Sequence, residues 1–106
     1  MGQPLEVDVA TAARMFAAGA SLVDVREPSE WAVVALPGAK LIRMREIPAR
    51  LADLPTDQPL LLLCHHGSRS RAVTDYLRGQ GRDNAINVAG GIDAWAREVD
   101  PTLPRY

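Results

Sequence analysis

Apolar positions along this chain switch between two spacings, and the switches outline an alternating architecture. Leu5-Glu6-Val7 alternates once, as a short strand does. From Val9 the spacing changes: Val9, Ala12, Ala13, Phe16 and Ala17 lie at i, i+3, i+4, i+7 and i+8, one helix face, with Asp8 at the N-cap and Gly19 as terminator. Leu22-Val23-Asp24-Val25 predicts a second strand running into a carboxylate-rich segment from Asp24 to Glu30. Pro28 then opens a helical turn through Ala32. Pro37-Gly38 marks a turn before a third strand near Lys40-Leu41-Ile42. Ile47, Leu51 and Leu54 predict a helix that ends before Pro55. Leu60 to Leu63 is an unbroken apolar strand. Ala72, Val73, Tyr76 and Leu77 give one face of the helix after it, stopped by Gly79 and Gly81. Ala85 to Val88 is the fifth strand, and Ile92, Trp95, Ala96 and Val99 line a last amphipathic helix that Pro101 prevents from continuing. Pro101 to Tyr106 reads as a short tail laid on the surface.

Five strands alternating with five helical segments predict one α/β domain over residues 1–106. Its sheet is expected to be mostly parallel, with helices on both faces and right-handed crossovers. At 106 residues and 11.5 kDa, such a domain buries a core without disulfides or metal. A net charge of −1 and a pI near 6.1 give no overall basic field, which argues against nucleic acid and anionic membrane as partners. No apolar run reaches the length of a membrane span. Met1-Gly2-Gln3-Pro4 has neither a basic leader nor an apolar h-region, so a soluble cytoplasmic domain is expected. Oligomeric state is not legible in the pattern.

Chemistry concentrates where the fourth strand ends. Leu60 to Leu63 stops at Cys64, the chain's single cysteine, and a polar loop, His65-His66-Gly67-Ser68-Arg69-Ser70-Arg71, leads into a helix. That order puts a thiol at the carboxyl end of a buried strand and against the first turn of a helix, where loop amides and the helix dipole favour an anion. An isolated thiol ionises near ~8.5, and a helix start with neighbouring cations can bring this to roughly 3.5–7.5. The competing interpretation is a small hydrophobe, since unpaired cysteine is among the most buried residue types. Its place at the strand end, before a glycine-containing polar loop, favours the nucleophile. A dithiol couple is excluded for want of a second cysteine, and a Walker A loop for want of its lysine. His65 and His66 are adjacent and expected to diverge, and no further histidine exists. Neither a metal nor another cofactor is therefore expected. Trp31 and Trp95 both lie in amphipathic patterns and are expected to pack in the core or as a lid.

These motifs resemble the rhodanese-homology family. Leu22 to Trp31 resembles its first signature, and Leu36-Pro37-Gly38-Ala39 the end of its second. Cys64 to Ser70 resembles the active loop of its single-domain sulfurtransferases, and Gly90-Gly91-Ile92-Asp93-Ala94-Trp95 its closing motif. The family's Gly-His ahead of the second signature is replaced by Val34-Ala35. The resemblance implies that Cys64 accepts a sulfane sulfur from a small anionic donor such as thiosulfate. The resulting persulfide would pass the sulfur to cyanide, a small thiol or a protein acceptor. In this scheme amides from His65 to Ser70 hold the sulfur, and Gly67 allows a positive φ. Ser68 and Ser70 donate to the sulfur or cap the helix. Arg69 attracts the donor or pairs with the acidic segment, while Asp24 and Arg26 support the loop. Two other readings stay open: a non-catalytic binding module, and a cysteine-dependent phosphatase or arsenate reductase. The second of these needs an arginine at the sixth position after the cysteine, which here is Ser70.

Overall fold

The computed structural model describes residues 3–106. Met1 and Gly2, the first half of the segment read as lacking a leader, lie outside it. Five strands, β1 (Glu6–Val7), β2 (Ser21–Asp24), β3 (Lys40–Leu41), β4 (Leu60–Leu63) and β5 (Ala85–Val88), form one sheet in the order β1-β5-β4-β2-β3. Every adjacent pair is parallel, with Asp24 opposite Leu63 and Leu62 opposite Asn87. Helices α1 (Val9–Ala17), α2 (Pro28–Val33), α3 (Ser68–Gly79) and α4 (Gly91–Glu98) and a 3₁₀ segment at Met44–Asp53 connect the strands. Among the described residues, no helix is long and apolar enough to cross a membrane.

Strand side chains alternate between the two faces of the sheet. Leu61 and Leu63 point into one layer with Leu22, Ile86, Val88, Ile92 and Trp95. Leu60, Leu62 and Cys64 point into the other with Val23, Ile42, Val73 and Leu77. All four leucines of β4 are buried, and each such side chain contributes roughly 1.5–3 kcal/mol. The central strand thus both anchors the core and carries the thiol.

Local chemistry sets the ends of the elements. Asp8 Oδ1 accepts from the Thr11 amide at 2.9 Å, Pro28 takes the first position of α2, and Gly19 reverses the chain after α1 at φ 107°. Three expectations are corrected. The helix expected over Ile47 to Leu54 is a 3₁₀ segment, broken at Arg50 (φ −117°, ψ 19°) two residues after Pro48, which has no amide hydrogen to donate. The inward face of α3 is Ser70, Val73, Thr74 and Leu77, while Ala72 and Tyr76 are exposed. The reason is that α3 begins at Ser68, within the polar loop, and its inward hydroxyls are hydrogen-bonded: Ser70 to Asn87, and Thr74 Oγ1 to the Ser70 carbonyl at 2.8 Å. Val99 lies just past α4 and is exposed. Trp95 is buried edge-on to Phe16, with ring centroids 6.4 Å apart, whereas Trp31 is half-buried on α2, a helix with no buried residue.

The connection after β2 leads outward to β3, while that after β4 leads the opposite way to β5. β2 and β4 are neighbours, so their two loops part at the carboxyl ends of the strands. A crevice at such a switch point is where open parallel sheets place ligands.

Candidate active site

Cys64 is the first residue beyond β4 and is 1% exposed. Its surroundings below are aliphatic, but the sulfur itself meets polar groups. The Gly67 amide donates to Sγ at 3.1 Å, and Ser70 Oγ lies 3.2 Å from it. The loop reaches this shape because Gly67 adopts φ 106°, a left-handed conformation, immediately before α3. A Cβ at Gly67 would also press on the Gly90 nitrogen at 3.0 Å. The expected basket of several amides is thus, in hydrogen bonds, one amide and one hydroxyl. Ser68 sits exposed at the first position of α3, and no side chain caps that helix.

Two elements hold the loop from behind. Asn87, on β5 and 2% exposed, donates through Nδ2 to the Gly67 carbonyl (3.2 Å) and to Glu6 Oε1 (2.9 Å), and its Oδ1 lies 2.6 Å from Ser70 Oγ. It therefore touches both residues that touch the sulfur. At the start of α4, the Ile92 amide donates to the Cys64 carbonyl (2.9 Å) and the Asp93 amide to the His65 carbonyl (3.0 Å). The Gly67 carbonyl is occupied by Arg71 N and Asn87. The carbonyls of Cys64, His65 and Gly67 are thus engaged elsewhere, while an N–H faces the sulfur. This packing requires Gly91, whose Cβ would fall 2.4 Å from the His65 oxygen and 2.5 Å from the Cys64 oxygen.

A line of charges runs along the other rim. Asp24 and Arg26, both 0% exposed, pair through Nη2–Oδ2 at 2.7 Å and Nε–Oδ1 at 2.9 Å. The remaining Arg26 donors reach the Val34 carbonyl (2.7 Å), the Glu30 carbonyl (3.3 Å) and the Tyr106 hydroxyl (2.9 Å). All five guanidinium hydrogens have acceptors, which is what makes a buried arginine tolerable. Burial works against the Arg26 charge, but the hydrogen bonds with Asp24 and Tyr106 outweigh it and raise the pKa. Tyr106 in turn donates to Glu30 Oε2 at 2.7 Å, and Glu30 grips Arg69 with both oxygens, at 2.7 and 2.8 Å. Hydrogen bonds from Arg69, and then from Tyr106, hold the Glu30 carboxyl down to about 2 against a burial effect of opposite sign. Of the two roles considered for Arg69, the structure contains the ion pair with the acidic segment. Asp24 and Arg26 are linked to the loop through Glu30 and Tyr106.

Segment 101–106 does not simply lie on the surface, as the sequence suggested. Besides the bonds of its hydroxyl, Tyr106 stacks on His65 with centroids 3.8 Å apart and planes at 8°, and its carbonyl lies 2.9 Å from His65 Nε2. A carbonyl only accepts, so Nε2 carries the hydrogen. Burial, and then the nearby His66, lower the His65 pKa and favour the neutral ring. The expected divergence of the histidines is also corrected: their rings lie 3.9 Å apart, and His65, His66 and Asp93 each bring a possible ligand atom within 4.8 Å of the others. Asp93 is already paired through Oδ1 with Arg105 and through Oδ2 with Arg97. Sequence reasoning missed Asn87, although a lone amide in a strand otherwise apolar was its signal. It also missed Tyr106, for which the local sequence offered none.

Comparisons with known proteins identify the family and the fold. A family model described as Rhodanese-like domain matches residues 8–98. A sulfurtransferase of Allochromatium vinosum is 41% identical over 82 residues, covering 77% of this chain and 77% of that protein. Rhodanese-like/PpiC domain-containing protein 12, chloroplastic, of Arabidopsis thaliana is 37% identical over 91 residues, 82% of this chain. The chain spans only 30% of that relative's length. Among solved structures, a rhodanese-like domain protein from Staphylococcus aureus superposes with a TM-score of 0.81 at 31% identity, covering 97% of this chain and 99% of its own.

Proposed function

The chain belongs to the rhodanese-like domain family, and on that footing we propose that it is a sulfurtransferase with Cys64 as nucleophile and sulfur carrier. The observation that carries the proposal is the polar environment of Sγ: one amide and one hydroxyl point at it while the neighbouring carbonyls are held away. Such groups favour an anionic sulfur, whether thiolate or persulfide. With thiosulfate as donor, the Cys64 thiolate attacks the outer sulfur, the S–S bond to sulfur(VI) breaks, and sulfite leaves with the electron pair. Cyanide or a thiolate then attacks the outer sulfur of the Cys64 persulfide, and the thiolate is regenerated. Charge balances in both halves, and neither needs a general base once the thiol is ionised.

A phosphatase would clamp phosphoryl oxygens with an arginine of the loop. Here Ser70 fills that position and Arg69 is engaged by Glu30, which argues for the smaller substrate. The binding-module reading draws on one observation, the 1% exposure of Cys64. Mass spectrometry separates the two. Incubation with thiosulfate is expected to add one sulfur, about 32 Da, to the wild type and nothing to Cys64→Ser. A folded wild type that gains no mass would select the binding module.

A further inference from the structure

Tyr106 is attached to both sides of the active loop. Its ring and carbonyl hold His65, the residue after the nucleophile. Its hydroxyl holds Glu30, which carries Arg69 near the far end of the loop, and also receives a hydrogen bond from buried Arg26. The residue therefore spans the rim as a chord. On the side of α4 the residue is seated closely: the seam framed by Val34, His65, Ile92, Asp93 and Pro104–Tyr106, which Cys64 does not line, has 0 Å³ for a water. Cys64, between the two ends that this chord joins, is 1% exposed.

We propose that Tyr106 is a specificity-determining residue, a crossbar that admits small reactants to Cys64 and holds back bulky ones until it lifts. Cyanide and thiosulfate pass with the bar in place. A large thiol must first break the stack on His65 and the hydroxyl bonds to Arg26 and Glu30. In the transfer that follows, the acceptor thiolate bonds to the outer persulfide sulfur, the Cys64 S–S bond breaks, and Cys64 leaves as thiolate. The acceptor side of this inference rests on the sulfurtransferase reading. The access side does not.

Cys64 is the only cysteine, so access can be timed by alkylation without any sulfur transfer. Rates are measured with iodoacetamide and with a fluorescein maleimide on wild type, Tyr106→Phe and Tyr106→Ala. Tyr106→Ala is expected to raise the maleimide rate at least about tenfold more than the iodoacetamide rate, as when a closed state held by a few contacts is released. Tyr106→Phe keeps the stack and loses both hydroxyl bonds, and is expected to give a smaller change of about threefold. If Tyr106→Ala does not fold, the comparison of Tyr106→Phe with wild type decides. Equal acceleration of both reagents, or none, overturns the crossbar, because a purely structural loss of packing opens the site to both alike. On persulfide-loaded enzyme, the same variants should raise kcat/KM for glutathione relative to cyanide. If thiosulfate does not load the wild type at all, the sulfurtransferase reading fails while the alkylation ratio still judges the crossbar.

Discussion

Ser70 Oγ has one hydrogen and two neighbours that can accept it, Asn87 Oδ1 at 2.6 Å and the sulfur at 3.2 Å. Asn87 thereby sets how readily the hydroxyl turns to the sulfur, and through the Gly67 carbonyl it also fixes the amide that meets Sγ. Replacing it with alanine takes the side-chain partner from the Gly67 carbonyl, which loosens the turn that aims the Gly67 amide at Sγ, and unties Ser70 Oγ, without touching the nucleophile. Asn87→Ala is expected to lower the rate of sulfur loading onto Cys64 by about tenfold, and to cost about 1–3 kcal/mol in urea unfolding because buried partners lose their bonds. If the loading rate per folded molecule matches wild type, Asn87 is only a packing residue. At this scale the sequence was readable where a residue breaks a local rule. Cys64 ends an apolar run, and Gly67 sits where the chain must turn through positive φ. Tyr106 breaks no local rule, since its partners Arg26 and Glu30 lie 80 and 76 residues away. No window of neighbouring residues contains that information.

The elements were mostly legible because their edges are marked by chemistry that acts locally. Asp8 and Pro28 start helices, and the apolar runs of β4 and β5 coincide with the observed strands. Sorting side chains by polarity alone misplaces the inward face of α3. Ser70 and Thr74 face inward on α3 because hydrogen bonds satisfy them there, and Ala72 and Tyr76 take the outer face that geometry leaves. The start of α4 shows the opposite case, a glycine selected for what it lacks. Gly91 has φ 61° and brings the helix amides onto the Cys64 and His65 carbonyls. A Cβ there would strike backbone atoms that belong to the active loop. Gly91→Ala is expected to destabilise the protein by about 2–4 kcal/mol in chemical denaturation. It should also lower sulfur loading in the molecules that remain folded. A variant with wild-type stability would show that the contact between α4 and the loop is slack.

For the whole molecule, parallel topology decides what meets at the site. β2 and β4 are neighbours although the 3₁₀ segment and β3 separate them in sequence, so the acidic segment after β2 lies against the loop after β4. Their junction is the Glu30–Arg69 pair. Glu30 titrates near 4.5 when unpaired and about 2 in the fold. Its contribution to stability is thus fully present above the first value and lost as pH falls through the second. Glu30→Gln is expected to flatten the fall in Tm across that interval relative to wild type, with the difference between the proteins shrinking toward its acid end. Parallel curves across the whole interval would mean that the pair adds nothing. The first strand enters the same assembly: Glu6, beside β5, accepts from Asn87 across 81 residues. Chain order then has a consequence for biosynthesis. The nucleophile at position 64 leaves the ribosome ahead of Asn87, Ile92, Asp93 and Tyr106, which are then still inside it or not yet joined to the chain. During that interval a growing polypeptide carries a bare thiol with none of these later partners, and oxidants or electrophiles in the cell meet it at its most vulnerable.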